Sequence, residues 1–248
     1  MFGVIGGTGL DKIEGLILEK HESIKTPYGQ TSEPLTFGML GGHKVVFLAR
    51  HGKSHSIPPH LINYQANIWA LHSVGVKNLI GINTVGSIET DFMPGDFVFP
   101  NQIIDYTYGR QNTFFDGITG PVKHIDFTFP FDNNLVNSFL KVSKLLKLKC
   151  HLNAVYASVQ GPRLESAAEI IRYENDGANI VGMTGMPETS LAREIGVNYA
   201  IICPVANHAA GRGLNKDGVT HEEISANSEK MALNITNLIK GIIESYGN

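Results

Sequence analysis

Short apolar runs without polar alternation recur along the chain, and segments with helical periodicity lie between them. Such a run is typical of a β-strand that is covered on both faces, as in a parallel sheet with helical crossovers. The predicted strands are Gly3–Ile5, Val45–Ala49, Asn78–Asn83, Phe97–Phe99, Ile103–Thr107, Ala154–Val159, Ile180–Met183 and Tyr199–Val205. The alternation of strand and helix patterns predicts an α/β fold.

Capping signals predict where several helices begin and end. Ser-Ala-Ala-Glu at 166–169 matches a capping box, and Gly177 stands where a glycine would end that helix. A second capping box, Thr-His-Glu-Glu at 220–223, predicts the start of the final helix. The apolar stripe of the final helix is Met231, Ile235, Leu238 and Ile242. Prolines that suit a first helical turn predict two further helices, at 59–75 and 187–196.

The domain organisation is simple. No composition break, internal repeat or Ser/Gly-rich linker divides the sequence, so it predicts a single domain over residues 1–248. Residues 110–132 contain Gly, Pro, Asp and aromatic residues but no clean period. We interpret this stretch as a long functional or interface loop.

Charge and hydropathy exclude several classes of protein. The chain has 20 Lys and Arg residues against 23 Asp and Glu, a net charge of −3, and so lacks the basic excess of a nucleic-acid or membrane-surface binder. It shows no signal-peptide pattern and no uncharged apolar run near the roughly 20 residues of a spanning helix. Its two cysteines, Cys150 and Cys203, exclude a disulfide framework. We therefore expect a soluble cytoplasmic protein that binds neither nucleic acid nor membranes, although a small anionic ligand is compatible.

Six segments with chemically useful side chains follow predicted strands, at residues 4–10, 48–55, 81–87, 160–165, 181–188 and 204–211. In the first, glycines allow backbone N–H groups to approach an anion and Thr8 adds a hydroxyl. In the second, Arg50 offers a planar fork suited to phosphate, and His51 adds an adjustable donor. A metal site at His51 and His55 is disfavoured, because no Glu follows His51 as in H-E-x-x-H and the segment is predicted to be a loop and not a helix. Taken singly, each segment also suits a structural turn or a solvated loop.

Together and in this order, the segments resemble the trimeric purine nucleoside phosphorylase and methylthioadenosine phosphorylase family over nearly the whole chain. The matching motifs are Ile-Gly-Gly-Thr-Gly-Leu at 5–10, Arg-His-Gly at 50–52, Asn-Tyr-Gln-Ala-Asn-Ile-Trp-Ala-Leu at 63–71, Pro-Gly-Asp at 94–96, Gly-Pro-Arg at 161–163 and Gly-Met-Thr at 182–184. The resemblance implies a central mixed β-sheet flanked by helices. It also implies phosphorolysis, in which phosphate attacks the anomeric carbon of a purine nucleoside and releases the base.

The resemblance assigns roles to individual residues. The phosphate-site positions are Thr8, Arg50, His51, Asn83, Thr84 and Thr184. The positions for the sugar and base are Met183, Glu165, Asn207, Ala209, His221 and His124, of which a neighbouring subunit would lend His124. Asn207 and His51 are the expected catalytic residues. No metal or organic cofactor is expected, since inorganic phosphate is the co-substrate, and the assembly implied is a homotrimer or a dimer of trimers.

Departures from the family pattern concern the choice of base. An adenine-specific methylthioadenosine phosphorylase would have aspartates at the positions of Asn207 and Ala209 and a small hydroxyl residue at Glu165. The Glu and Asn found here resemble the inosine and guanosine phosphorylases instead. A carboxylate accepts from the N1–H of a 6-oxopurine, and an amide can donate to its O6 or serve its N7. We therefore expect phosphorolysis of inosine or guanosine.

The 5′ substituent of the substrate stays open at this point. His221 stands where the inosine and guanosine enzymes place a histidine near the 5′-hydroxyl, but residues 206–213 also resemble the S-methyl-5′-thioinosine phosphorylase subgroup. That activity is the first alternative, and methylthioadenosine phosphorolysis is disfavoured by the base pocket. A hydrolase and a non-catalytic purine-binding protein are further alternatives. The phosphate-site residues argue against both.

Overall fold

The chain forms a mixed β-sheet with helices packed against it. The computed structural model describes residues 1–7, 15–118 and 120–246, and over these residues ten strands form the sheet. The strands are β1 Phe2–Gly6, β2 Ile17–Glu22, β3 Leu35–Leu40, β4 His43–Ala49, β5 Asn78–Ile82, β6 Val85–Ser87, β7 Phe97–Asp105, β8 Cys150–Ser158, β9 Ile180–Gly182 and β10 Asn198–His208. The α-helices are α1 Tyr64–Ser73, α2 Asn133–Leu145, α3 Ala167–Asn175, α4 Glu188–Glu194 and α5 His221–Tyr246. The predicted α/β fold with a central mixed sheet is confirmed.

The apolar runs form the middle of the sheet, whose strand order is β2-β3-β4-β1-β5-β10-β6-β9-β8-β7. Strands β4, β1, β5 and β10 lie side by side and parallel. Every residue of β1 is buried, as is every residue of β10 after Asn198, because helices or further strands cover both faces. β10 also pairs with β7, in antiparallel orientation, so this one strand joins both parts of the sheet.

Most of the predicted strands are confirmed, with three differences. Phe97–Phe99 and Ile103–Thr107 were predicted as separate strands, but they belong to the single strand β7. Pro100 has no backbone N–H and favours a break, yet a shift in the pairing with β8 at this residue accommodates it. The sequence did not predict β2 and β3, which form an edge hairpin with β2 largely exposed, or the three-residue strand β6.

The capping predictions are confirmed for α3 and corrected elsewhere. Ser166 and Glu169 form a reciprocal capping box at the start of α3, and Gly177 follows its end with a φ of +94°. At the start of α5 only half of the predicted box forms, because the side chain of Glu223 accepts from Asn215 Nδ2 at 2.7 Å.

Both proline-opened helices begin later than predicted. Pro59 opens a short 3₁₀ turn, and α1 begins at Tyr64, where the side chain of Asn63 accepts the backbone N–H of Ala66. Pro187 precedes α4 instead of starting it. The stretch 110–132 has no helix or strand among its described residues, as predicted for a long loop.

Neighbouring parallel strands end at the same edge of a sheet, so the residues that follow β1, β4, β5 and β10 lie close together at that edge. These are the positions at which the predicted phosphate-site and base-site residues occur. Among the described residues, no helix combines the length and the hydropathy needed to cross a bilayer.

Candidate active site

A cavity of about 650 Å³ opens at this edge of the sheet. Its volume lies in the range typical of small-molecule sites. The predicted site residues that line it are Arg50, His51, Asn83, Thr84, Glu165, Met183, Thr184, Asn207, Ala209 and His221. Thr8 lies outside the described residues, whereas Gly7 directly before it lines the cavity. His124 is exposed and does not line the cavity of its own chain.

Arg50 forms a buried ion pair behind one end of the cavity. Its Nε and Nη2 each donate to the carboxylate of Glu188 at 2.6 Å, and both side chains are 1% exposed or less. Nη1 donates to the carbonyl of Ile82 at 3.1 Å. Burial alone would lower the pKa of Arg50, but the charge of Glu188 outweighs it and raises that pKa above its ordinary value. The guanidinium is therefore permanently charged and held in one orientation.

The carboxylate of Glu188 has a second fixed partner. The hydroxyl of Tyr199 on β10 donates to it at 2.5 Å. This hydroxyl fills the space beside Gly81 on β5, where a Cβ would lie 2.2 Å from it. Sequence reasoning assigned no role to Glu188, because glutamates usually lie at the surface.

Thr184 and Asn83 lie beside Arg50 and orient each other. Nδ2 of Asn83 donates to the hydroxyl oxygen of Thr184 at 2.9 Å, and its Oδ1 accepts from Arg50 at 3.3 Å. Because the threonine oxygen is used as an acceptor, its own hydrogen is free to point towards a ligand in the cavity. These three residues thus present donors to an anion at this end of the cavity.

His51 and His55 stack at the same end, with ring centroids 4.0 Å apart. Nδ1 of His51 contacts the carbonyl of Ile57 at 2.9 Å. Burial and the nearby charge of Arg50 lower the pKa of His51 to about 4. Burial also lowers the pKa of His55, with His221 as the next contribution. Both rings are therefore neutral at neutral pH.

Asn207 lines the cavity next to an irregularity in β10. Val205 pairs with Val85 and Asn207 pairs with Gly86, so Ala206 is an extra residue and β10 bulges. The amide of Asn207 is buried and donates one N–H to the carbonyl of His208 at 2.6 Å. Within residues 1–7, 15–118 and 120–246, its other N–H and its Oδ1 make no hydrogen bond, so both can serve a ligand.

Glu165 is half-buried and lines both this cavity and a second one of about 290 Å³. Burial raises its pKa above the ordinary value for a glutamate. Ala209 lies next to Asn207 in the cavity wall, where it adds no polar atom. An acid and an amide that are distant in sequence therefore face one cavity.

Arg110 fixes the two loops that carry Glu165 and Met183, and sequence reasoning did not identify it. Its Nη2 donates to the carbonyl of Gln160 at 2.9 Å. Its Nη1 donates to the carbonyls of Met183 at 2.9 Å and Met186 at 2.5 Å. The only sequence signal was its position at the start of the aperiodic stretch 110–132.

A third part of the cavity is formed by the start of α5. Val219 and Ile224 contribute apolar atoms, whereas His221, Ser225 and Ser228 contribute polar ones. The described residues include no group of three or more His, Cys, Asp or Glu side chains placed to hold a metal ion.

The sequence matches the phosphorylase superfamily over residues 1–244, and the chain belongs to this family. It is 43% identical to a probable S-methyl-5′-thioinosine phosphorylase of Xanthomonas campestris pv. campestris, over 95% of this chain and 94% of the relative. It is 42% identical to the 6-oxopurine nucleoside phosphorylase of Pyrococcus furiosus, over 97% of this chain and 91% of that one.

Solved structures agree with this assignment. The methylthioadenosine phosphorylase of Schistosoma mansoni, solved with adenine, superposes with a TM-score of 0.93 at 29% identity. The superposition covers 99% of this chain and 91% of the other. The protein is therefore a phosphorylase by family, and its relatives differ in the base and the 5′ substituent that their names state.

Proposed function

We propose that the protein is a 6-oxopurine nucleoside phosphorylase that converts inosine or guanosine and phosphate to the free base and ribose 1-phosphate. The observation that carries this proposal is the placement of Glu165 and Asn207 in the cavity that also holds Arg50 and Thr184. The acid and the amide suit the base, and the arginine and the hydroxyl suit the phosphate.

The base end favours a 6-oxopurine for a simple reason. Glu165 accepts a hydrogen bond from N1–H of hypoxanthine or guanine, whereas adenine presents a lone pair at N1. Asn207 donates to O6 or N7, and Ala209 supplies no carboxylate for a 6-amino group. A buried polar mismatch costs about 1–3 kcal/mol, and two such mismatches predict a selectivity of about 10²–10⁴ against adenosine.

The reaction mainly requires placement and electrostatics. The C1′–N9 bond breaks ahead of full bonding to phosphate, which leaves positive charge on the sugar and negative charge on the purine. Arg50, His51, Thr184 and the backbone at Asn83 and Thr84 hold phosphate below the anomeric carbon, and Thr8 is proposed to join them. Met183 packs against the ribose, and Asn207 stabilises the departing base.

A panel of six nucleosides tests the proposal: adenosine, inosine, guanosine and their 5′-methylthio counterparts, each with and without phosphate. We expect hypoxanthine release from inosine that depends on phosphate. A rate that does not depend on phosphate would instead establish a hydrolase. Binding without turnover at saturating phosphate would establish a binding protein, and faster turnover of adenosine than of inosine would overturn the base assignment.

A second candidate, S-methyl-5′-thioinosine phosphorylase, is favoured by the relatives' names and by the apolar atoms of Val219 and Ile224 at the sugar end. Against it stand His221, Ser225 and Ser228, whose polar atoms suit a 5′-hydroxyl better than a methylthio group. Both candidate functions use the same base site and the same phosphate site.

Replacing Ser225 by valine is expected to raise the kcat/KM ratio of methylthioinosine over inosine by about 10-fold, because an apolar wall replaces a hydroxyl. Ser225→Thr is the matched control, since threonine has the shape of valine and keeps the hydroxyl. The ratio should stay near the wild-type value in this control. Equal ratios in the two variants would mean that the hydroxyl does not select the 5′ group.

The binding of hypoxanthine should depend on pH through Glu165. Because the pKa of this carboxyl is raised in the folded protein, it loses its charge at a higher pH than an ordinary glutamate does as the pH falls. We therefore expect the Kd for hypoxanthine to increase as the pH drops through this raised pKa. Calorimetric titration without phosphate measures it, and Glu165→Gln should remove the dependence. A wild-type Kd that is constant from about pH 4 to 7 would contradict the assignment.

The proposal extends to the assembly and to the cellular setting. No metal or organic cofactor takes part, and the enzyme acts in the cytoplasm as a homotrimer or a dimer of trimers. In this assembly His124 reaches the sugar pocket of a neighbouring copy. Its support is the exposure of Ile118, Val122 and Phe129 around His124, since large apolar side chains at 61–88% exposure are typical of an interface. Light scattering on the purified protein tests the assembly.

A further inference from the structure

His51 has a fixed tautomer, which determines what it can offer a ligand. The carbonyl of Ile57 can only accept, so the contact of 2.9 Å requires the hydrogen of the neutral ring to sit on Nδ1. Nε2 then carries a lone pair, and His51 lines the cavity. At neutral pH the ring presents an acceptor to a phosphate, although phosphate sites otherwise consist of donors.

The charges around His51 do not favour an unprotonated phosphate oxygen at Nε2. Arg50 is the nearest cation, but its charge is balanced by Glu188 at 2.6 Å. His55 stacks on the other side at 4.0 Å and faces His221, and the pKa of His55 is lowered. Among the described residues that line the cavity, Arg50 is the only side chain with a permanent positive charge.

Lys53, on the outer side of this loop, does not line the cavity. Lys53 is exposed, and its backbone N–H donates to the carboxylate of Glu33 at 2.5 Å. A fully deprotonated phosphate oxygen would therefore meet the lone pair of Nε2, which is repulsive, whereas a phosphate hydroxyl there would donate a hydrogen bond.

We propose that phosphate binds as hydrogen phosphate with its P–OH group donating to Nε2 of His51, and that one of its unprotonated oxygens attacks the sugar. The proposal rests on the proposed function, because it assigns a chemical form to its co-substrate. His51 is then a hydrogen-bond acceptor for the P–OH group of the nucleophile.

The proton balance of the step is complete. The bond from an unprotonated phosphate oxygen to C1′ forms, while the P–OH group keeps its proton and its hydrogen bond to Nε2. The C1′–N9 bond breaks, and its electron pair leaves with the purine, which takes a proton from water. Ribose 1-phosphate departs as a monoanion that still carries the P–OH group, and this group loses its proton to the hydroxide formed from that water.

Sulfate distinguishes a site that requires a proton on the ligand from one that does not. It has the shape and charge of hydrogen phosphate but carries no proton at neutral pH. Arg50 and Thr184 donate to either anion, so only an acceptor discriminates between them. The geometry therefore predicts selective binding of phosphate.

Calorimetric titration of the full chain with inorganic phosphate and with sulfate, at about pH 7.5, tests this proposal. We expect phosphate to bind at least about 30-fold more tightly than sulfate. In His51→Gln the ratio should fall to about 3 or less, since the amide offers a donor as readily as an acceptor. Thr184→Ala is the matched control. It removes a donor that both anions use, so both bind more weakly and their ratio stays at the wild-type value.

Proton uptake gives an independent measurement. Titrations at about pH 8 in two buffers of different ionisation enthalpy should show almost no proton uptake with phosphate, because hydrogen phosphate brings its own proton. Uptake near one proton per site, equal binding of sulfate, or an unchanged ratio in His51→Gln would each overturn the proposal and leave the proposed function standing. Failure to bind phosphate at all would overturn both.

Discussion

Replacing Arg50 by methionine is expected to abolish phosphorolysis and to lower the free energy of unfolding by about 3–5 kcal/mol. The guanidinium and the carboxylate of Glu188 are both buried and share two hydrogen bonds of 2.6 Å. Removal of the arginine leaves this carboxylate without its counter-charge. Tyr199 supplies one hydrogen bond to it but no charge. Urea unfolding of the variant measures the loss.

The double variant Arg50→Met with Glu188→Met separates the two effects. Apolar side chains of similar volume often replace a buried ion pair at little cost, so most of the lost stability should return. Activity should stay at least about 10³-fold below wild type, because the phosphate has lost its only described cation in the cavity. If the single and double variants were equally unstable, the unpaired carboxylate would not be the cause of the loss.

The centre of the fold could be predicted because its signal is local. Strands such as β1 and β10 are buried on both faces, and most of their residues are apolar as a result. The same property placed the chemically useful segments at the ends of strands, and hence at one edge of the sheet.

The edge of the sheet could not be predicted in this way. Ile17–Glu22 forms β2, yet four of its six residues are polar or charged, namely one Lys, one His and two Glu. Most of the six residues are exposed. β3 and β2 pair through their backbones, which leaves no mark on composition. β6 is three residues long, too short for any periodic pattern.

Within the candidate site, the side chains that point into the cavity were easier to find than those that hold them. Glu188 lies 138 residues from Arg50 in sequence, and a buried glutamate is identical in sequence to an exposed one. Arg110 acts through carbonyl groups, which every residue has. The bulge at Ala206 depends on the register with β6 and not on residue type. These features follow from tertiary structure alone.

Replacing Asn207 by alanine is expected to lower kcat for inosine by about 10²–10³, the usual effect of removing one donor to developing negative charge. The KM for phosphate should change by less than about 3-fold, because the hydrogen bonds that join Arg50, Asn83 and Thr184 do not involve Asn207. Steady-state kinetics, with inosine and then phosphate as the varied substrate, measure kcat and the KM for phosphate. A large rise in the phosphate KM with an unchanged kcat would mean that Asn207 binds phosphate and does not stabilise the departing base.

The same residue should also determine the choice of base. In Asn207→Asp with Glu165→Ser, the donor becomes an acceptor and the carboxylate at N1 disappears, so the kcat/KM ratio of adenosine over inosine should rise by about 10²-fold or more. Adding Ala209→Asp supplies a second acceptor and should raise the ratio further. The single variants are the controls, since each leaves one mismatch with adenine and should shift the ratio less. Because Asn207 and Glu165 would contact neighbouring atoms of one base, their effects should depend on each other. Strict additivity with an unchanged preference would mean that the two side chains do not read the same edge of the purine.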